Sequence, residues 1–125
     1  MKKILIVDDE PDVRALLNTR LSANGYEILE APDGAAGIAV AREEKPDLIL
    51  LDVLMPSQDG VETYRVLRED PATEQIPVIF LTALSQNVSV TQKNLNLGAG
   101  YDILGKPYRA EELIEKVRSA LGDPA

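Results

Sequence analysis

Neither cysteine nor histidine occurs anywhere in the 125 residues. Without cysteine there is no disulfide framework, no thiolate metal site and no cysteine nucleophile, a composition compatible with a reducing compartment. Without histidine the commonest general base and the commonest metal ligand are both missing, so any metal must be a hard cation held by oxygen. Long apolar runs are lacking too. The basic start, Met1-Lys2-Lys3, leads into only four apolar residues before Asp8, far short of a signal-peptide core or a membrane span, and the cytoplasm is the expected compartment. Positive charge is scarce, with 13 Lys and Arg against 21 Asp and Glu for a net charge of −8. That balance repels phosphate backbones and anionic lipid, so neither nucleic acid nor membrane is expected as a direct partner. What is plentiful is apolar residues, 45% of the chain, enough for one core in one domain spanning residues 1–125.

Four consecutive apolar residues, Leu48-Ile49-Leu50-Leu51, run straight into Asp52. The run is too short for a helix and suits a strand buried on both faces, which then presents an acid at its tip. Alone, an Asp after a strand most often begins a turn. The rest of the chain repeats the pattern, however. Lys3 to Val7 ends in Asp8-Asp9-Glu10 and Pro11, the proline suited to a first helical turn. A helix follows with Val13, Leu16, Leu17 and Leu21 inward and Arg14 and Arg20 outward, stopping at Asn24-Gly25. Tyr26 to Ala31 reads as the second strand, and Asp33-Gly34 opens an Ala-rich helix to Glu44 whose small residues allow close packing.

After Asp52, a loop through Pro56 and Gln58 leads to a helix from about Gly60 to Arg68 with Val61, Tyr64 and Leu67 inward. Pro77 to Leu81 is the fourth strand, tipped by Thr82. Ser85 to Leu97 predicts a helix with a thin apolar stripe, the least firmly held of the set. Tyr101 to Leu104 is the last strand, ended by Lys106-Pro107, and Leu113, Ile114, Val117 and Leu121 mark the final amphipathic helix. Five strands alternating with five helices predict a doubly wound parallel α/β sheet of the flavodoxin-like order 2-1-3-4-5. In that order the first and third strands are neighbours, and Asp8, Asp9 and Asp52 meet at the sheet's carboxyl edge.

Carboxylates converging there repel one another by several kcal/mol when about 4 Å apart at a protein-like dielectric. A divalent cation resolves the conflict, and oxygen-only ligands at an open strand end suit Mg²⁺, which commonly bridges carboxylates to a phosphoryl group. Thr82 and Lys106, on two further strand tips, offer a hydroxyl and an ammonium to phosphoryl oxygens, and Asp52 is left as nucleophile. Taken singly these residues read as turn, cap and solvated charge. Their joint position on four strand tips at one edge is what points to chemistry.

The segments Ile4 to Glu10, Asp47 to Pro56 with Asp59-Gly60, Pro77 to Ala83 and Leu104 to Tyr108 together resemble the receiver domain of two-component response regulators over nearly the whole chain. The resemblance implies that Asp52 accepts a phosphoryl group from a histidine kinase or a histidine phosphotransfer protein and signals by a conformational switch. It implies that Asp9 binds Mg²⁺ directly, Asp8 largely through water, and the Leu54 backbone carbonyl completes the set. Thr82 and Lys106 would contact the phosphoryl oxygens, and the Lys106-Pro107 peptide is expected to be cis. Output would run through the face made by the 85–97 helix, the fifth strand and the last helix to a downstream domain or protein. The implied protein is no enzyme beyond its own phosphorylation and dephosphorylation, and a monomer or a weak phosphorylation-dependent dimer.

Two features bear on its behaviour. Ile103 stands where the family usually has a switch aromatic, with Tyr101 two places earlier. Leu54 and Leu84 flank the expected approach of water to the acyl phosphate and offer it no orienting hydrogen bond, so slow self-dephosphorylation is expected. The alternative function is a degenerate receiver acting as an unphosphorylated interaction module, which the full set of acids, Thr82 and Lys106 disfavours. A flavin or nucleotide site on the same fold would need a phosphate-donating Gly-rich loop where Asp8-Asp9-Glu10 stands. An aspartate-based phosphatase would want a general acid where Leu54 stands.

Overall fold

The computed structural model of the chain describes residues 2–52, 60–82, 101–105 and 109–122, with backbone alone at 60, 61, 82, 101–103 and 105. Five strands, β1 (Lys3–Val7), β2 (Glu27–Ala31), β3 (Leu48–Asp52), β4 (Val78–Thr82) and β5 (Tyr101–Gly105), form one parallel sheet in the order β2-β1-β3-β4-β5. The described helices are α1 (Pro11–Ser22), α2 (Gly34–Glu44), α3 (Gly60–Glu69) and α4 (Ala110–Leu121). This is the flavodoxin-like arrangement expected. The helix expected over 85–97, the turn at 98–100 and the loop over 53–59 lie outside the described residues.

Period-two alternation splits the apolar strands into two cores. Leu5, Val7, Ile49, Leu51, Val78 and Phe80 face α2 and α3, where they meet Ile38, Ala41, Tyr64 and Leu67. Ile4, Ile6, Leu48, Leu50, Ile79, Leu81 and Leu104 face α1 and α4, where Leu17, Leu21, Leu113, Val117 and Leu121 cover them. With helices on both faces, β3 is buried at every position, which is why its sequence shows no polar alternation.

The local punctuation follows the residue types. Pro11 sits in the first turn of α1, the Asp33 side chain caps α2 by accepting from the Ala36 N–H at 2.8 Å, and Gly122 ends α4 in the left-handed conformation at φ 72°. At the end of α2 that left-handed role falls to Lys45, at φ 47°. Asp70, just past α3, accepts from the Ala72 N–H and pairs with Arg42, and these two partners hold its carboxyl below the usual range. Arg68 stacks 4.6 Å from the centre of the Tyr64 ring. It also donates to the carbonyls of Thr73, Glu74 and Ile76, stapling the connection from α3 into β4.

One inward assignment on the helices changes. Leu16 is 50% exposed, because Leu17 and Leu21 take the inward line of α1 and a neighbour on a helix points about 100° away. On α3, Tyr64 and Leu67 are buried as expected, and Thr63 is buried with them.

Close packing of α2 has a measurable consequence. A Cβ built on Gly37 would lie 2.8 Å from Cγ2 of Val7, the residue that leads into Asp8. Gly37→Ala gains about 1 kcal/mol of helix propensity, but overpacking a filled core costs about 1–3 kcal/mol. The net expectation is a lower urea midpoint than the parent's; a higher midpoint would show that α2 can move off β1 without cost.

Candidate functional site

In the β1–β3 register Val7 stands opposite Leu51, so Asp8 and Asp52 come at the same level on adjacent central strands. Asp9 follows on the same edge. Asp8 and Asp52 are buried, 1% and 7% exposed, and Asp9 is the least buried of the three. Each offers a carboxylate oxygen, and these oxygens all lie within 4.8 Å of one another. Among the described residues no other group of acids meets in this way.

Asp8 is held at its N–H, its carbonyl and one carboxylate oxygen. Its N–H donates to the Ala31 carbonyl at 3.1 Å, extending the β1–β2 ladder by one step. Its Oδ1 accepts from the Glu10 N–H at 2.9 Å. Its carbonyl accepts from Arg14 Nη1 at 2.7 Å. Arg14, expected to point outward, instead turns back along α1 with its side chain only 17% exposed, and it also pairs with Glu30 of β2 at 3.2 Å. The sequence did carry a signal for this. An arginine in the first turns of a helix opposes the helix dipole, so Arg14 needed nearby acceptors, and the strand tip and Glu30 supply them.

Thr82 is placed through its backbone, paired with Gly105 at the end of β4 and β5. Ile103, in β5, pairs with Phe80. Lys106 is the next residue after Gly105, and it lies with Leu54, Leu84 and Pro107 outside the described residues.

The site therefore gathers oxygen donors of like charge at the topological switch of a doubly wound sheet, where ligands of such folds bind. The sequence model of the response regulator receiver domain matches residues 4–118. The chain belongs to this family. Over 121 residues the receiver is 41% identical to the "DNA-binding dual master transcriptional regulator RpaA" of Synechocystis sp., covering 97% of this chain and 49% of that protein. It superposes on the chemotaxis protein CheY4 of Vibrio cholerae with a TM-score of 0.86 at 30% identity, over 97% of this chain and 99% of that one. A receiver domain of the sensor histidine kinase PA1611 from Pseudomonas aeruginosa, solved with a magnesium ion coordinated in its active-site cleft, gives a TM-score of 0.86 at 27% identity over 98% of each chain.

The receiver spans about half the length of the curated relatives it matches, and this corrects one expectation. The net charge of −8 predicts no direct nucleic-acid partner, yet a relative is DNA-binding by name. Charge repulsion acts over a screening length of about 8–10 Å. The acidity of one half of a protein therefore does not decide what the whole protein binds. No described helix is long and apolar enough to cross a membrane.

Proposed function

We propose that residues 1–125 form one receiver unit, working in the cytoplasm, in which Asp52 is the phosphoacceptor and Asp8, Asp9, Asp52 and the Leu54 carbonyl hold Mg²⁺. The observation that carries this reading is the convergence of three carboxylates within 4.8 Å, two of them buried. Such a cluster fits a hard divalent cation: its donors are all oxygen, their mutual repulsion favours a positive charge between them, and Asp9 leaves the edge open to water. When bound, Mg²⁺ supplies positive charge against the phosphoryl oxygens.

In the transfer, an Asp52 carboxylate oxygen forms a bond to phosphorus as the P–N bond of a phosphohistidine breaks, and the electron pair leaves with the imidazole nitrogen. With acetyl phosphate the bond broken is P–O and acetate leaves. Thr82 and Lys106, at the ends of β4 and β5, contact the transferred oxygens and offset their charge. Slow attack of water at phosphorus then returns the Asp52 carboxylate and inorganic phosphate. The likeness to RpaA supports DNA as the target to which the signal of the whole protein is directed.

Incubation of the protein with acetyl phosphate should add one phosphoryl group in the presence of Mg²⁺ and none in EDTA, read by intact mass. Equal labelling in both conditions would remove the metal from the account.

A further inference from the structure

We propose that Arg14 is a positioning residue for the metal site, fixing the peptide between Asp8 and Asp9 so that their carboxylates are presented together; this rests on the Mg²⁺ reading above. The Asp8 carbonyl that accepts from Arg14 Nη1 at 2.7 Å belongs to the peptide unit joining the two acids. A peptide is planar, so fixing its oxygen limits the rotation of both residues about it. The other side of Asp8 is already tied to β2 through its N–H and Ala31. Arg14 therefore supplies the restraint toward Asp9.

The guanidinium is itself held. Its Nε donates to Glu30 Oε1 at 3.2 Å, the other Glu30 oxygen accepts from Asn18 Nδ2 at 2.9 Å, and Asn18 Oδ1 accepts from Ser22 at 2.7 Å. This chain of polar contacts starts at Ser22 near the end of α1, passes through Glu30 of β2, and reaches the acid pair at its far end. A lysine could keep the charge of Arg14, but a single ammonium lacks the planar fork that spans the Asp8 carbonyl and the Glu30 carboxylate together.

Charge and position make opposite predictions. Removing the positive charge of Arg14 should tighten Mg²⁺ binding if its charge is what matters, whereas loss of the restraint should weaken it. Groups that orient metal ligands from behind change affinity by about 10–100-fold when removed, and we expect a loss near the lower end, about 10-fold, because Asp52 is held independently by β3.

Mg²⁺ affinity is to be measured by isothermal titration calorimetry, without any phosphodonor, on the parent, Asp9→Ala, Arg14→Lys, Arg14→Met and the charge-neutral pair Arg14→Met with Glu30→Met. Circular dichroism checks that each is folded at the titration temperature. The proposal expects weaker binding in all three Arg14 variants, the charge-conserving ones included. Parent-like affinity in Arg14→Lys, or tighter binding in Arg14→Met, overturns it while leaving the metal reading intact, provided Asp9→Ala has lost binding. Absence of Mg²⁺ binding in the parent overturns the metal reading and this proposal with it. If the double variant does not fold, Arg14→Lys decides, since it changes neither the charge nor the helix propensity of α1 appreciably.

Discussion

Asp9→Ala should take up phosphoryl groups from acetyl phosphate about 10²-fold more slowly than the parent while remaining folded, an effect of the size seen when one preorganised electrostatic contact to a transition state is removed. Asp9 is the acid to change because its two neighbours are buried and Asp8 is bonded through its backbone and its carboxylate. Substituting Asp8 would mix loss of the site with loss of a bond that its carboxylate makes to the backbone of Glu10. Removing Asp9 leaves two of the three acids within 4.8 Å and relieves repulsion in the metal-free protein. The variant should therefore melt no lower than the parent without Mg²⁺. Added Mg²⁺ should raise the parent's melting temperature, since a ligand that binds only the folded state stabilises by RT ln(1 + [L]/Kd), and should leave Asp9→Ala unchanged. An uptake rate equal to the parent's would show that Asp9 is not part of the metal site.

The second large effect is on stability. Leu50→Ala should cost about 2–5 kcal/mol, the range for truncating a buried leucine, against a total of about 5–15 kcal/mol for a domain. Leu50 is fully buried in the middle of the central strand, paired on one side with Ile6 and on the other with Ile79, and covered from α1 and α4. Neighbours on two strands and two helices cannot all close on the space left behind, so the upper half of the range applies. Urea unfolding should show a lower midpoint at an unchanged slope. A loss below about 1 kcal/mol would mean that the core collapses around the missing side chain.

The strands were the most legible part of this protein. A strand buried on both faces has no choice but continuous apolar sequence, and the abrupt change to Asp8, Asp52 or Thr82 marks where each leaves the core. Topology then brings the first and third tips together, so the meeting of Asp8, Asp9 and Asp52 followed from order alone. Helix faces were less legible. Leu16 reads as apolar stripe until the geometry of α1 gives the inward line to Leu17 and Leu21, and Thr63, which carries no apolar signal, is buried on α3. Arg14 reads as outward because periodicity reflects only the axis of its own helix. Its partners are a backbone carbonyl and a side chain on β2, both reached through tertiary packing. The charge of the chain misled in a different way, since it describes only residues corresponding to about half of a longer relative.

Phosphoryl incorporation into Asp52→Ala, compared with the parent under the same acetyl phosphate and Mg²⁺, tests the central claim most directly. Intact mass should show one added phosphoryl group on the parent and none on the variant, with both folded by circular dichroism. Equal incorporation into Asp52→Ala would contradict the assignment of Asp52 as the phosphoacceptor.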